Sequence, residues 1–172
     1  NALYQADKNN TVSITEGDTI LIEASVYTGQ EALAVWHADG LYISGINGKA
    51  VLRAEGAYIW GKGIWVLAGD HATVEHITFI GASVPDRNGA GIRLDGRGLT
   101  VRHCLFRDNE NGILTSNAKA GEVLVEFSEF DRNGYGDGFS HNIYVGYERS
   151  FTIRFSHTHH ARIGHNIKSR AE

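Results

Sequence analysis

Ala72-Thr73-Val74-Glu75-His76-Ile77-Thr78-Phe79 superposes without gaps on three later segments. These are Leu99-Thr100-Val101-Arg102-His103-Cys104-Leu105-Phe106, Val123-Leu124-Val125-Glu126-Phe127-Ser128-Glu129-Phe130 and Phe151-Thr152-Ile153-Arg154-Phe155-Ser156-His157-Thr158. Leu41-Tyr42-Ile43-Ser44-Gly45-Ile46 is a fainter copy. Each copy alternates apolar and polar residues, the two-residue period of a strand with one buried face. Ile43, Val74, Val101, Val125 and Ile153 form the inward column, at spacings of 31, 27, 24 and 28 residues.

Between these copies lies a second recurring strand. Gly63-Ile64-Trp65-Val66, Gly91-Ile92-Arg93-Leu94, Gly112-Ile113-Leu114-Thr115, Asn142-Ile143-Tyr144-Val145 and Asn166-Ile167-Lys168-Ser169 align on their isoleucine, at spacings of 28, 21, 30 and 24. A third short strand per period is expected along the inward column Phe79, Phe106 and Phe130. The strands keep their length while the corners between them vary. Ankyrin and tetratricopeptide repeats instead hold a near-constant period with 3.6-residue patterning, and the Leu-x-x-Leu-x-Leu frame of leucine-rich repeats is missing. The pattern predicts an all-β chain: one right-handed parallel β-helix over residues 1–172, of about six to seven rungs of roughly 24 to 31 residues.

Stacking at about 4.8 Å per rung predicts which side chains meet. The outward column Glu75, Arg102, Glu126, Arg154 alternates in sign, a register-setting ladder worth about 0.2–1 kcal/mol per exposed pair. Asn109 over Asn133 is expected to form an asparagine ladder at a corner.

Composition agrees with this reading. Among 172 residues there are 21 Gly and 1 Pro, which suits repeated tight corners between short strands. The net charge of −4 without a basic arm argues against a nucleic-acid partner. No apolar run approaches the roughly 18 residues that cross a bilayer, so no membrane partner is expected. Cys104 is the lone cysteine and reads as a small buried apolar side chain. Asn1–Lys8 is expected to form a short capping helix, with residues 1–11 as the N-terminal cap. After Ile167 no cap is visible, so the expectation is a fragment of a longer coil or an open end that stacks on another copy into filaments.

Gly17-Asp18-Thr19-Ile20-Leu21-Ile22-Glu23-Ala24-Ser25-Val26-Tyr27 resembles the opening rung of the pectate-lyase-like superfamily, with Ser25 where a Gly is common. Leu41-Tyr42-Ile43-Ser44-Gly45-Ile46-Asn47-Gly48 is similar to its second rung, and Ser140-His141-Asn142-Ile143-Tyr144-Val145-Gly146 to later rungs of bacterial right-handed β-helix-repeat proteins. The resemblance implies an extracellular or cell-surface bacterial protein and an acidic polysaccharide partner. It also implies the chemistry of alginate or pectate lyases or of mannuronan C5-epimerases, and this inference rests on fold analogy.

The residues offer candidates for that chemistry. Beside the isoleucine column, the outward positions read Trp65, Arg93, Leu114, Tyr144 and Lys168, while two residues before it stand Lys62, Ala90, Asn111, His141 and His165. His141 should therefore stack on His165 and Tyr144 on Lys168, with Arg170 one step away and Asp137 at the preceding corner. Elimination or epimerisation of a uronic acid needs a cation on the sugar carboxylate, a base for the neighbouring C–H and an acid for the leaving oxygen or the returning proton. His141, Tyr144, His165 and Lys168 are the catalytic candidates, and Arg93, Arg170, Trp65 and Asp137 the substrate-binding ones. Trp65 and Trp60 would stack on sugar rings.

No metal or other cofactor is expected. The corner His157-Thr158-His159-His160 offers imidazoles without a matching carboxylate in sequence, and calcium finds only the pairs Asp131 with Glu129 and Asp108 with Glu110. The competing reading of the whole chain is a non-catalytic solenoid with a structural or glycan-binding role.

Overall fold

The computed structural model describes residues 13–117 and 120–172. Strands follow one another through them as β1 (Thr19–Glu23), β2 (Val26–Thr28), β3 (Ala34–Trp36), β4 (Tyr42–Ile46), β5 (Ala50–Arg53) and β6 (Gly63–Leu67). Next come β7 (Ala72–Glu75), β8 (Ile77–Ile80), β9 (Ala90–Leu94), β10 (Leu99–Arg102), β11 (Leu105–Arg107) and β12 (Asn111–Thr115). The last are β13 (Glu122–Glu126), β14 (Glu129–Asp131), β15 (Ile143–Val145), β16 (Ser150–Arg154), β17 (His157–His159) and β18 (Ile167–Ser169). A 3₁₀ helix, Gly29–Ala32, interrupts the first turn. The N-terminal cap expected over residues 1–11 lies outside the described residues.

Each strand pairs in parallel with the strands three places before and after it, giving three six-stranded sheets. The first runs β1-β4-β7-β10-β13-β16, the second β2-β5-β8-β11-β14-β17 and the third β3-β6-β9-β12-β15-β18. The result is a coil of six turns in the described residues, and its core is the prism enclosed by the sheets. In the first sheet Ile43, Val74, Val101, Val125 and Ile153 stack as the repeat predicts.

The second sheet supplies the aromatic column. Phe79, Phe106 and Phe130 are fully buried, with centroids 4.9 and 4.6 Å apart and near-parallel rings. Those spacings are the strand repeat itself, so one ring per turn gives continuous offset stacking. Cys104 is buried beside them, and burial pushes its thiol up to about 12. It is an apolar filler without thiolate character at neutral pH.

The third sheet departs from the expected register at its second strand. Gly63 pairs with Ala90 and Trp65 with Ile92, so Trp65, not Ile64, continues the inward isoleucine column. Ile64 falls beside Gly91 in the neighbouring strand, and it too is buried. The indole is what sets this register. It is the largest side chain in the core, packs edge-on against Trp36 and Phe79, and donates Nε1–H to the Ala32 carbonyl at 3.1 Å. An indole inside needs that acceptor, and the 3₁₀ turn provides it. Gly63 has φ of 137° and lies too close to Ala90 for a β-carbon, so the recurring Gly-Ile pair is not one structural unit at this rung.

Both predicted ladders are present. Arg102 Nε lies 2.7 Å from Glu126, Arg102 Nη1 3.3 Å from Glu75, and Arg154 Nε 2.6 Å from Glu126. The two arginines hold the Glu126 carboxyl below its usual range against the opposing effect of desolvation. Asn109 Nδ2 donates to Asn133 Oδ1 at 2.9 Å, and the ladder runs further than the repeat suggests. Asn133 donates to Asn142 at 2.8 Å and Asn142 to Asn166 at 3.0 Å. These amides also bond backbone groups at the corner, including the Phe79 and Phe106 carbonyls. A buried corner thereby keeps its polar groups paired.

Corners rely on glycine less than composition implies. His76, His103, Phe127 and Phe155 occupy the left-handed region at φ between 49° and 56°, one above another after the first sheet. Their rings stack on the outside at 4.9–5.1 Å.

Candidate functional site

The third sheet carries the polar column singled out above, and parallel pairing fixes its members. Ile113 pairs with Ile143 and Leu114 with Tyr144, then Tyr144 pairs with Lys168 and Val145 with Ser169. With Ile143 buried, alternation turns Tyr144 and Lys168 outward on adjacent rungs. Lys168 Nζ lies 4.6 Å from the centroid of the Tyr144 ring. The Arg170 guanidinium lies 5.8 Å from the same ring and 5.6 Å from that of Tyr147. Both cations therefore sit over aromatic faces, a contact worth about 0.5–1 kcal/mol at an exposed site. Among the described residues neither is paired with a carboxylate, whereas Arg93, Arg97, Arg102, Arg107, Arg132, Arg154 and Arg162 all are.

His141 and His165 meet as the register predicts, with ring centroids 5.1 Å apart. Their environments differ. His165 is exposed, but His141 is 0% exposed. The backbone N–H of His141 donates to Asn111 Oδ1 at 2.9 Å, its Nδ1 accepts the backbone N–H of His165 at 3.0 Å, and its ring meets Tyr144 edge to face at 5.4 Å. Burial, then Lys168 and His165, push its pKa down to about 4. At neutral pH it is an uncharged imidazole that cannot reach a ligand in solvent. The expectation that His141 itself meets a ligand is corrected accordingly: its ring is buried against His165 and Tyr144.

Of the four expected substrate-binding residues, three do not join the site as foreseen. Trp65 is 2% exposed and belongs to the core, so no sugar can stack on it. Arg93 stands in the outward column two rungs from Tyr144, but its Nε is held by Asp95 at 2.8 Å. Trp60 is exposed and lies against His37, in a different part of the coil. Asp137 lies exposed in the corner loop before His141, where its Oδ1 accepts the Phe139 N–H at 3.0 Å. Arg170 joins Lys168 as described. The grouping on the last two turns is thus Tyr144, His165, Lys168 and Arg170 at the surface, with His141 below.

The carboxylate pair Asp108 and Glu110 does not form a calcium cradle. Glu110 is buried, where it accepts hydrogen bonds from Ser83 Oγ and the Val84 and Gly89 N–H groups and pins the 83–89 loop. Asp108 is held by Arg132 and Arg162.

A second cluster was not assembled from sequence. β14 pairs with β17, so Glu129 faces His157 and Asp131 faces His159. The third imidazole belongs to His160, whose φ of 52° turns the chain at the corner. Extending the gapless alignment of Val123–Phe130 on Phe151–Thr158 by two residues places Asp131 on His159 and Arg132 on His160. That extension would have revealed the cluster.

Three parallel sheets wound into a coil, with polar residues projecting from the faces, define the class of parallel β-helix proteins. The family model of the right handed beta helix region matches residues 4–156, and the chain belongs to that family. Comparisons with curated proteins and with solved structures found no match.

Proposed function

We propose that the protein binds an acidic polysaccharide along the outer face of β12, β15 and β18 and acts on it by lyase or C5-epimerase chemistry. One observation supports this above the others: Lys168 and Arg170 stand free of carboxylates, among the described residues, beside Tyr144 and His165. A cation resting on an aromatic face can pair with an incoming carboxylate without breaking an ion pair. Lys168 and Arg170 neutralise the uronate carboxylate, which stabilises the negative charge that develops when the neighbouring C–H is deprotonated. Tyr144 and His165 exchange the protons, and neutral His141 holds the His165 backbone through its Nδ1. The burial of His141 also favours a second reading, a glycan-binding solenoid without turnover.

The test is a panel of alginates and pectates followed by ultraviolet absorbance of unsaturated uronates, with proton spectra of treated alginate to detect epimerisation. Turnover is expected on at least one uronan. Tyr144→Phe and Lys168→Ala should each reduce it by about 100-fold or more while leaving thermal stability nearly unchanged. Binding without turnover would establish the second reading. Inactivity with no binding to any uronan would overturn both.

A further inference from the structure

On the second sheet, away from the Tyr144 face, three ligand atoms converge from two turns. His160 Nδ1 lies 3.2 Å from Asp131 Oδ1, His159 Nδ1 lies 3.5 Å from the same oxygen, and the two Nδ1 atoms are 2.6 Å apart. The surroundings orient each ligand. Arg132 Nη1 lies 2.8 Å and Arg107 Nε 3.1 Å from the other oxygen of Asp131, both as ion pairs, while Oδ1 faces the imidazoles. Glu129 Oε1 lies 3.2 Å from His159 Nε2. A carboxylate there accepts the Nε2–H and presents Nδ1 as a lone pair, the arrangement found behind metal-bound histidines.

With His159 Nε2 facing Glu129, the two Nδ1 atoms and Asp131 Oδ1 are left converging on one another. A cation between them would satisfy all three. Tetrahedral coordination at about 2.0–2.1 Å sets ligand atoms about 3.3–3.4 Å apart. The two distances to Asp131 match that edge, and a small swing of the His160 ring would open the third. His160 is the ligand free to swing, since its side chain is 71% exposed while that of Asp131 is 3% exposed. The same exposure leaves further coordination positions open to water.

We propose that Asp131, His159 and His160 bind one divalent transition-metal ion of the zinc type. Two imidazoles and one carboxylate favour Zn2+ and its neighbours over Ca2+ or Mg2+, which need more oxygen ligands. This metal site is independent of the polysaccharide face, since no residue is shared.

Calorimetric titration of the metal-stripped protein with Zn2+ tests it, together with the visible spectrum of the Co2+ form. Binding of one Zn2+ per chain at micromolar or tighter affinity is expected, with the absorbance of a four-coordinate Co2+ centre. His160→Ala and His159→Gln should each weaken Zn2+ by at least about 30-fold, and Glu129→Gln by about 10-fold, at unchanged melting temperature. Asp131→Asn disturbs two arginine pairs, so the histidine variants are the decisive ones, and of these His160→Ala removes an exposed ring. Absence of Zn2+ binding, or equal binding by wild type and both histidine variants through other histidines of the chain, would overturn the proposal.

Discussion

Replacing Phe106 by alanine is expected to cost about 3–5 kcal/mol of stability, read as a lower denaturant midpoint in an unfolding titration. The ring is 0% exposed and touches a phenyl ring on each side, Phe79 at 4.9 Å and Phe130 at 4.6 Å. Its loss removes the buried area of one side chain, interrupts two stacks and leaves a cavity that the strand spacing cannot close, because the backbone ladder holds the rungs apart. Such a cost is a large share of the roughly 5–15 kcal/mol that domains of this kind possess. Phe155→Ala is the control. It also removes a ring from a stack, but an outer one that is 70% exposed, and should cost under about 1 kcal/mol. Equal costs for the two would contradict the division between inner and outer aromatic columns.

Acid is expected to destabilise the protein well above the range in which carboxylates titrate, through His141. Its folded pKa of about 4 lies below the ordinary value of 6.5, so the unfolded chain binds the proton more tightly. Stability from this group is therefore full above about pH 6.5 and falls as pH drops from 6.5 toward 4. One proton contributes up to about 1.4 kcal/mol per pH unit, so the loss over that window is on the order of 2–3 kcal/mol. Denaturation midpoints between pH 7.5 and 4.5 check this, with His141→Gln as the comparison. The variant should lose stability overall and show a flatter dependence between pH 6.5 and 4.5. The paired carboxylates Glu126 and Asp131 act lower, since their depressed values keep them ionised until the pH falls past the usual carboxylate range.

Much of this was legible in the sequence because a solenoid converts repetition into contact. Once Val74, Val101, Val125 and Ile153 are aligned, the ion ladder from Glu75 to Arg154 follows, and aligning Ile143 with Ile167 brings His141 to His165 in the same way. Register failed where two apolar residues compete for one inward position. Ile64 and Trp65 both suit burial, and the choice depended on an indole acceptor 33 residues earlier at Ala32. Burial of His141 was readable but missed: it stands two residues before the inward Ile143, so alternation puts it on the same side, and it is 0% exposed. The Asp131–His159–His160 cluster lay one to two residues past the repeat, at a corner where a left-handed residue redirects the chain.

If Lys168 and Arg170 await an anionic sugar, calorimetric titration with a uronate oligosaccharide and its carboxyl-reduced neutral counterpart shows it most directly. The uronate should bind at least about 10-fold more tightly than the neutral sugar, weaken with added salt, and lose that advantage in a Lys168→Ala, Arg170→Ala double variant. Equal affinity for both sugars, or an unchanged uronate affinity in the double variant, would contradict it.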